Sequence, residues 1–183
     1  MSKTPLSPTQ LKALIRTVPD FPQPGIQFRD ITTLIGDGAG LASSVHHLAN
    51  HARAAGAQKI AGMEARGFIF GAAVAVALGI GFIPVRKPGK LPVETIGVDY
   101  ALEYGGDRLE IDPQAVSQGE RVVIIDDLIA TGGTARATLA LLRKAGAQVT
   151  QALFVVDLPD LGGANHLREA GLTVETLVAF EGD

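Results

Sequence analysis

The chain has 183 residues, 46% of them hydrophobic, a formal charge of −3 and no cysteine. It is long and apolar enough to bury one sizeable core, most simply as a single domain over residues 1–183. Its dispersed basic residues leave no electrostatic footprint for nucleic acid, and the missing cysteines exclude disulfide scaffolds, thiolate zinc sites and cysteine nucleophiles together.

In chain order, residues 1–18 read as an N-terminal extension with a helix, without the apolar core of a signal peptide. Nowhere does an apolar stretch approach the roughly 20 residues of a membrane span, so the expectation is a cytoplasmic protein with no membrane partner. "GDGAG" (36–40) imitates the start of a dinucleotide fingerprint, but Leu41 stands where its third glycine belongs, so a loop before a helix is expected. Short apolar runs then alternate with helix-like segments, the pattern of an α/β fold whose mainly parallel sheet is flanked by helices. The expected strands are 59–63, 81–87, 121–127, 152–158 and 174–180; the expected helices are 39–56, 68–79 and 134–146, each closed by glycine. Residues 88–113 break this rhythm with turn residues, charges and β alternation at "LEYGGDRLEI". They form either a functional loop or hairpin, or an insertion.

Chemistry concentrates in "RVVIIDDLIATGGTARAT" (121–138). Val122–Ile125 are apolar on both faces, as a covered central strand requires, and ligand crevices open at the carboxyl ends of such strands. The neighbouring side chains of Asp126 and Asp127 diverge on an extended chain and can accept hydrogen bonds from different hydroxyls of one sugar. Thr131, Gly132, Gly133 and Thr134 follow as a helix begins, where flexible backbone lets several N–H groups converge on a phosphate. Taken singly, the acids also fit a Mg²⁺ site or helix-start charge, and Gly-Gly an ordinary tight turn. Together they describe a ribose 5-phosphate cradle. The P-loop lysine is absent, since Ala135 and Arg136 follow the threonine.

This stretch resembles the phosphoribosyl-diphosphate signature of type I phosphoribosyltransferases. Four further stretches, "DFPQPGIQFRDIT" (20–32), "EARGFIFG" (64–71), "GFIPVRKPGKLP" (81–92) and "YALEYGGDRLEI" (100–111), are similar to the adenine-specific branch of that family, collinearly from about Val18 to Phe180. The resemblance implies the type I phosphoribosyltransferase fold with a small hood and a flexible hairpin, a mobile catalytic loop at 88–113, and the reaction of adenine with phosphoribosyl diphosphate to give AMP and diphosphate. It also implies Mg²⁺ held mainly through the substrate, and a homodimer. Asp126, Asp127, Ala130, Thr131, Gly132, Gly133 and Thr134 would hold the ribose 5-phosphate; Ala65, Arg66 and Gly67, with Arg86, Lys87 and Lys90, the diphosphate. The family arginine matching Arg86 reaches a neighbouring subunit's site. Gln27 and Arg29 would read adenine through backbone groups, with Phe28 and Leu128 against the ring.

Ala130 carries no carboxylate where hypoxanthine and guanine relatives have an aspartate. The implied catalytic residues are therefore Glu103, for the proton on N7 of the base, and Arg66 on the leaving diphosphate, while Tyr104 matches a tyrosine of loop closure. The competing readings are a transferase for another purine, and a non-catalytic sensor of phosphoribosyl diphosphate that binds DNA. His47 and His51 stand one helical turn apart without a third ligand at a convincing offset and are expected to be ordinary helix residues.

Overall fold

The computed structural model describes residues 4–101 and 106–182. A five-stranded, wholly parallel sheet organises them, in the order β4 (Gly81–Val85), β3 (Lys59–Met63), β7 (Arg121–Ile129), β8 (Gln148–Asp157), β9 (Thr173–Ala179). The burial of β7 explains its composition. Val122 and Ile124 join one apolar cluster with the helix α5 (Gly133–Lys144) and the helix α6 (Gly163–Glu169). Val123 and Ile125 join the opposite one, with the helices α3 (Gly38–Ala54) and α4 (Gly67–Leu78). A strand covered on both sides has no use for polar alternation.

Strand order places the site. From β3 the chain steps outward to β4, and after a long excursion returns on the other side of β3 as β7. Between β3 and β7 the connections therefore leave in opposite directions, and the sheet opens at their carboxyl ends.

All five expected strands and all three expected helices form. Gly56, Gly79 and Gly146, which end the helices, have positive φ of 68°, 67° and 97°. The fingerprint-like "GDGAG" is a helix start: Asp37 caps α3 by accepting the Gly40 N–H at 2.7 Å. The excursion at 88–113 contains a hairpin, β5 (Ile96–Ala101) against β6 (Gly106–Ile111), in register from Ile96 opposite Ile111. Its first strand begins earlier than the alternation at "LEYGGDRLEI" indicates. Gly97 masks it in the sequence; the Arg108 guanidinium lies across that position. Ile96, Val98 and Tyr100 pack onto the cluster around α5, and Arg86 and Glu110 exchange backbone bonds of 2.9 and 2.8 Å that tie the hairpin to the end of β4.

Of the short elements, only the N-terminal helix was expected from the sequence. The helix α1 (Pro8–Ala13) is opened by a Ser7–Gln10 capping box. The strands β1 (Arg16–Pro19) and β2 (Gln27–Asp30) form a separate antiparallel ribbon, followed by the helix α2 (Thr32–Gly36). Asp30 anchors this ribbon. It receives the hydroxyl and N–H of Thr32 and the guanidinium of Arg16, and these donors hold its carboxyl down at about 2.

Candidate active site

A cleft of about 300 Å³ lies at the opening between β3 and β7. One wall is the end of β3, Met63 to Arg66; the other runs from Asp126 through Leu128, Ala130 and Thr131–Thr134 to Ala135, with Phe154 beneath. The two walls touch through Gly67. A β-carbon there would stand 2.6 Å from Asp126 Oδ1 and 3.1 Å from the Ile125 carbonyl, so only glycine lets α4 begin against the end of β7. The peptide between Glu64 and Ala65, directly before this start, is cis.

The carboxylates differ in their partners. Asp127 is buried, 4% exposed, and Arg66 Nε donates to its Oδ2 at 2.5 Å. The Arg66 side chain itself is 52% exposed, so its remaining N–H groups face the cleft and solvent. Asp126 accepts the Asp127 N–H at 2.9 Å. Burial first, and the Asp127 charge second, push the Asp126 carboxyl well above its usual 3.8. Unfolded, Asp126 sheds its proton near 3.8; folded, it resists doing so, and its cost to stability grows as pH rises above that value. Asp126→Asn is therefore expected to raise the melting temperature at neutral pH, with the gain shrinking toward pH 3.8. The same change should lower kcat/KM about tenfold, since a hydrogen bond to a charged acceptor is lost. Thermal melts across pH and steady-state kinetics check both halves.

Glu64 had no part in the sequence reading, yet it links the basic cluster to the cleft it lines. Arg86 donates to it at 3.1 and 3.4 Å and the Lys87 N–H at 3.0 Å, which together hold its carboxyl below the usual range. Arg86 also bonds the Lys90 carbonyl at 3.1 Å, so within its own chain it is a strut. The Lys87 ammonium pairs with Asp107 of the hairpin, and Asp107 also accepts the Tyr100 hydroxyl at 3.1 Å.

Ala65, Arg66, Asp126, Asp127, Leu128, Ala130 and Thr131–Thr134 thus share one cleft, with Gly67 behind it and Arg86, Lys87 and Lys90 at its edge. Gln27, Phe28 and Arg29 lie on β2, outside that lining. Their ribbon is nonetheless near, since the charge of Asp30 acts on Arg66. Phe28 packs edge-on to Phe21 at 5.1 Å, and Arg29 bonds Thr17 at 2.9 Å and lies over the Phe180 ring at 4.7 Å. Glu103 and Tyr104 lie outside the described residues. His47 donates through Nε2 to the Leu6 carbonyl at 2.8 Å, a helix residue holding the chain ahead of α1. Among the described residues no helix is long and apolar enough to cross a membrane.

A parallel sheet opened beside paired acids and a glycine turn defines a class: the chain belongs to the phosphoribosyl transferase family, whose domain model matches residues 31–164. It is 72% identical to the adenine phosphoribosyltransferase of Erythrobacter litoralis over 94% of this chain and 97% of that one. Within the family it stands among the adenine phosphoribosyltransferases. The crystal structure of that enzyme from Thermoanaerobacter pseudethanolicus superimposes with a TM-score of 0.90 at 45% identity, covering 95% of this chain and all of that one. The Saccharomyces cerevisiae enzyme, complexed with an imino-altritol bisphosphate and adenine, gives 0.87 at 37% identity over 93% and 97% of the two chains.

Proposed function

We propose that the cleft binds phosphoribosyl diphosphate and adenine and joins them into AMP, releasing diphosphate. The observation that carries this reading is the pairing, in one cleft, of the Asp126–Asp127 carboxylates with the Thr131–Thr134 turn at the start of α5. The ribose hydroxyls are held by the two acids, and the 5-phosphate by the N–H groups and hydroxyls of Ala130 to Thr134, where the helix dipole favours an anion. Arg66, with the backbone of Ala65 and Gly67, faces the diphosphate, and Lys87, Lys90 and Arg86 stand on its far side. Adenine lies between Leu128 and the β2 ribbon, read by backbone groups of Gln27 and Arg29 with Phe28 against the ring, as suits a base that donates from its exocyclic amine. The adenine bound by the yeast relative supports that assignment.

In the reaction, adenine carrying its proton on N7 attacks the anomeric carbon through N9 while the bond from that carbon to the diphosphate oxygen breaks. Glu103 accepts the N7 proton. Arg66 stabilises the charge gathering on the departing group, and Asp126 and Asp127 face the positive charge that develops on the sugar. With Asp127 paired to Arg66, Asp126 is the carboxylate on this wall that a cation, its other ligands substrate oxygens, would contact, and the cation's charge would favour its ionised form. Mg²⁺, when bound with the substrate, supplies neutralisation of the diphosphate charge.

The segment 88–113, to which Tyr104 belongs, closes over the site and keeps water from the reactive sugar. The same reading covers residues 1–183 as one domain and makes the enzyme a cytoplasmic homodimer. For the dimer, the support is α4, whose outward side exposes Ile69 at 39% and Val76 at 82%, beside Phe68 with Arg86 above its ring.

AMP formation from adenine and phosphoribosyl diphosphate, with and without Mg²⁺ and against hypoxanthine and guanine, tests the assignment. Product is expected only with Mg²⁺ and predominantly from adenine. Equal use of 6-oxopurines overturns the base assignment, and turnover in metal-free buffer overturns the role of the cation.

A further inference from the structure

The turn that receives the phosphate is gripped from behind by α6, which does not line the cleft. The Gly163 N–H donates to the Ala130 carbonyl at 3.0 Å, and His166 Nδ1 lies 3.3 Å from the Thr131 carbonyl. A carbonyl only accepts, so Nδ1 carries the hydrogen. Between these contacts the backbones are in van der Waals contact. A β-carbon on Gly132, which sits at φ 82°, would stand 3.0 Å from Gly163, and one on Gly163 would run into the Thr131–Gly132 peptide. Behind it, α6 is fixed by Ala164 and Leu167, both buried in the core beside α5.

Peptide geometry turns this grip into an orientation. In a trans peptide the C=O of one residue and the N–H of the next point in opposite directions. Tying the Ala130 carbonyl to α6 aims the Thr131 N–H away from α6, and tying the Thr131 carbonyl does the same for the Gly132 N–H. Two consecutive amides are thereby presented on the cleft side.

We propose that Gly163 and His166 of α6 are positioning residues for the phosphate turn, setting the Thr131 and Gly132 amides toward the 5-phosphate of phosphoribosyl diphosphate before it arrives. This rests on the reading of that turn as the phosphate site. His166 touches no substrate; it acts through the Thr131 carbonyl. Such preorganisation strengthens binding by sparing the turn an ordering step on complex formation.

The test uses two variants of an exposed residue. His166→Leu keeps bulk without a donor, and His166→Asn places an amide N–H at the same number of bonds from the backbone as Nδ1. His166→Leu is expected to raise KM for phosphoribosyl diphosphate about fivefold, the equivalent of one ordinary hydrogen bond, with KM for adenine and kcat unchanged. His166→Asn is expected to restore the wild-type value. A wild-type KM in His166→Leu, an equal rise in KM for adenine, or an asparagine variant no better than leucine overturns the proposal. Thr134→Val separates the two readings. If it raises KM for phosphoribosyl diphosphate while His166→Leu does not, the turn binds phosphate without this support; if neither variant changes it, the phosphate site itself is misassigned.

Discussion

Replacing Glu103 by glutamine is expected to lower kcat by about 10²- to 10⁴-fold, the range of a well-placed general acid or base, while the melting temperature stays at the wild-type value. Glutamine keeps the size and loses only the proton-accepting charge. Among the described residues the cleft offers poor substitutes. Glu64 is held ionised by Arg86 and Lys87, which makes it a weak base. Asp127 is spent on Arg66, Ala130 has nothing to titrate, and no histidine lines the cleft. The rival is Asp126, whose carboxyl is pushed up by burial and by Asp127. Wild-type turnover in Glu103→Gln removes Glu103 from the chemistry and moves the proton to Asp126. A pH profile of kcat decides between them, since removing the operative group removes its limb.

Replacing Arg66 by methionine should cost both activity and stability, for different reasons. The diphosphate loses charge-assisted bonds of about 1.5–3 kcal/mol each, so kcat/KM is expected to fall by about 10²-fold or more. Asp127, 4% exposed, loses its counter-ion at the same stroke. A wholly buried pair broken in this way costs about 3–5 kcal/mol; here the loss is smaller, because Arg66 is half exposed and solvent screens the pair. The double variant Arg66→Met/Asp127→Asn is expected to recover melting temperature and no activity. Arg66→Lys should recover part of the stability but little rate, because a point charge does not reproduce the guanidinium fork. Full activity in Arg66→Lys would reduce the role of Arg66 to charge alone.

The legible part of the fold consists of elements long enough to show a period or covered enough to show none. β7 stood out because a strand buried on both faces must be apolar throughout, and α3, α4 and α5 because each fills a dozen positions or more before a glycine ends it. β1, β2, α2 and α6 are too short for periodicity to separate them from loops. β5 was hidden by Gly97, a residue that weakens strand patterning in the sequence, and its place is visible only once it pairs with β6.

The site divides in the same way. Residues 121–138 showed by themselves the carboxylates, glycines and hydroxyls that the structure gathers in one cleft, because groups presented from one strand end are close in sequence. Contacts between distant segments left no such trace. Arg66 and Asp127 are 61 positions apart, Glu64 and Arg86 22, and Thr131 and His166 35. The sequence alone determined the family, the parallel sheet and the set of polar groups at the end of β7. Only the tertiary structure decided which acid pairs with Arg66, which has its carboxyl pushed up by burial, and that α6 packs against the Ala130–Gly132 turn. Local spacing fixes what one backbone segment presents, whereas charge pairing, burial and close backbone approach depend on which segments the sheet order brings side by side.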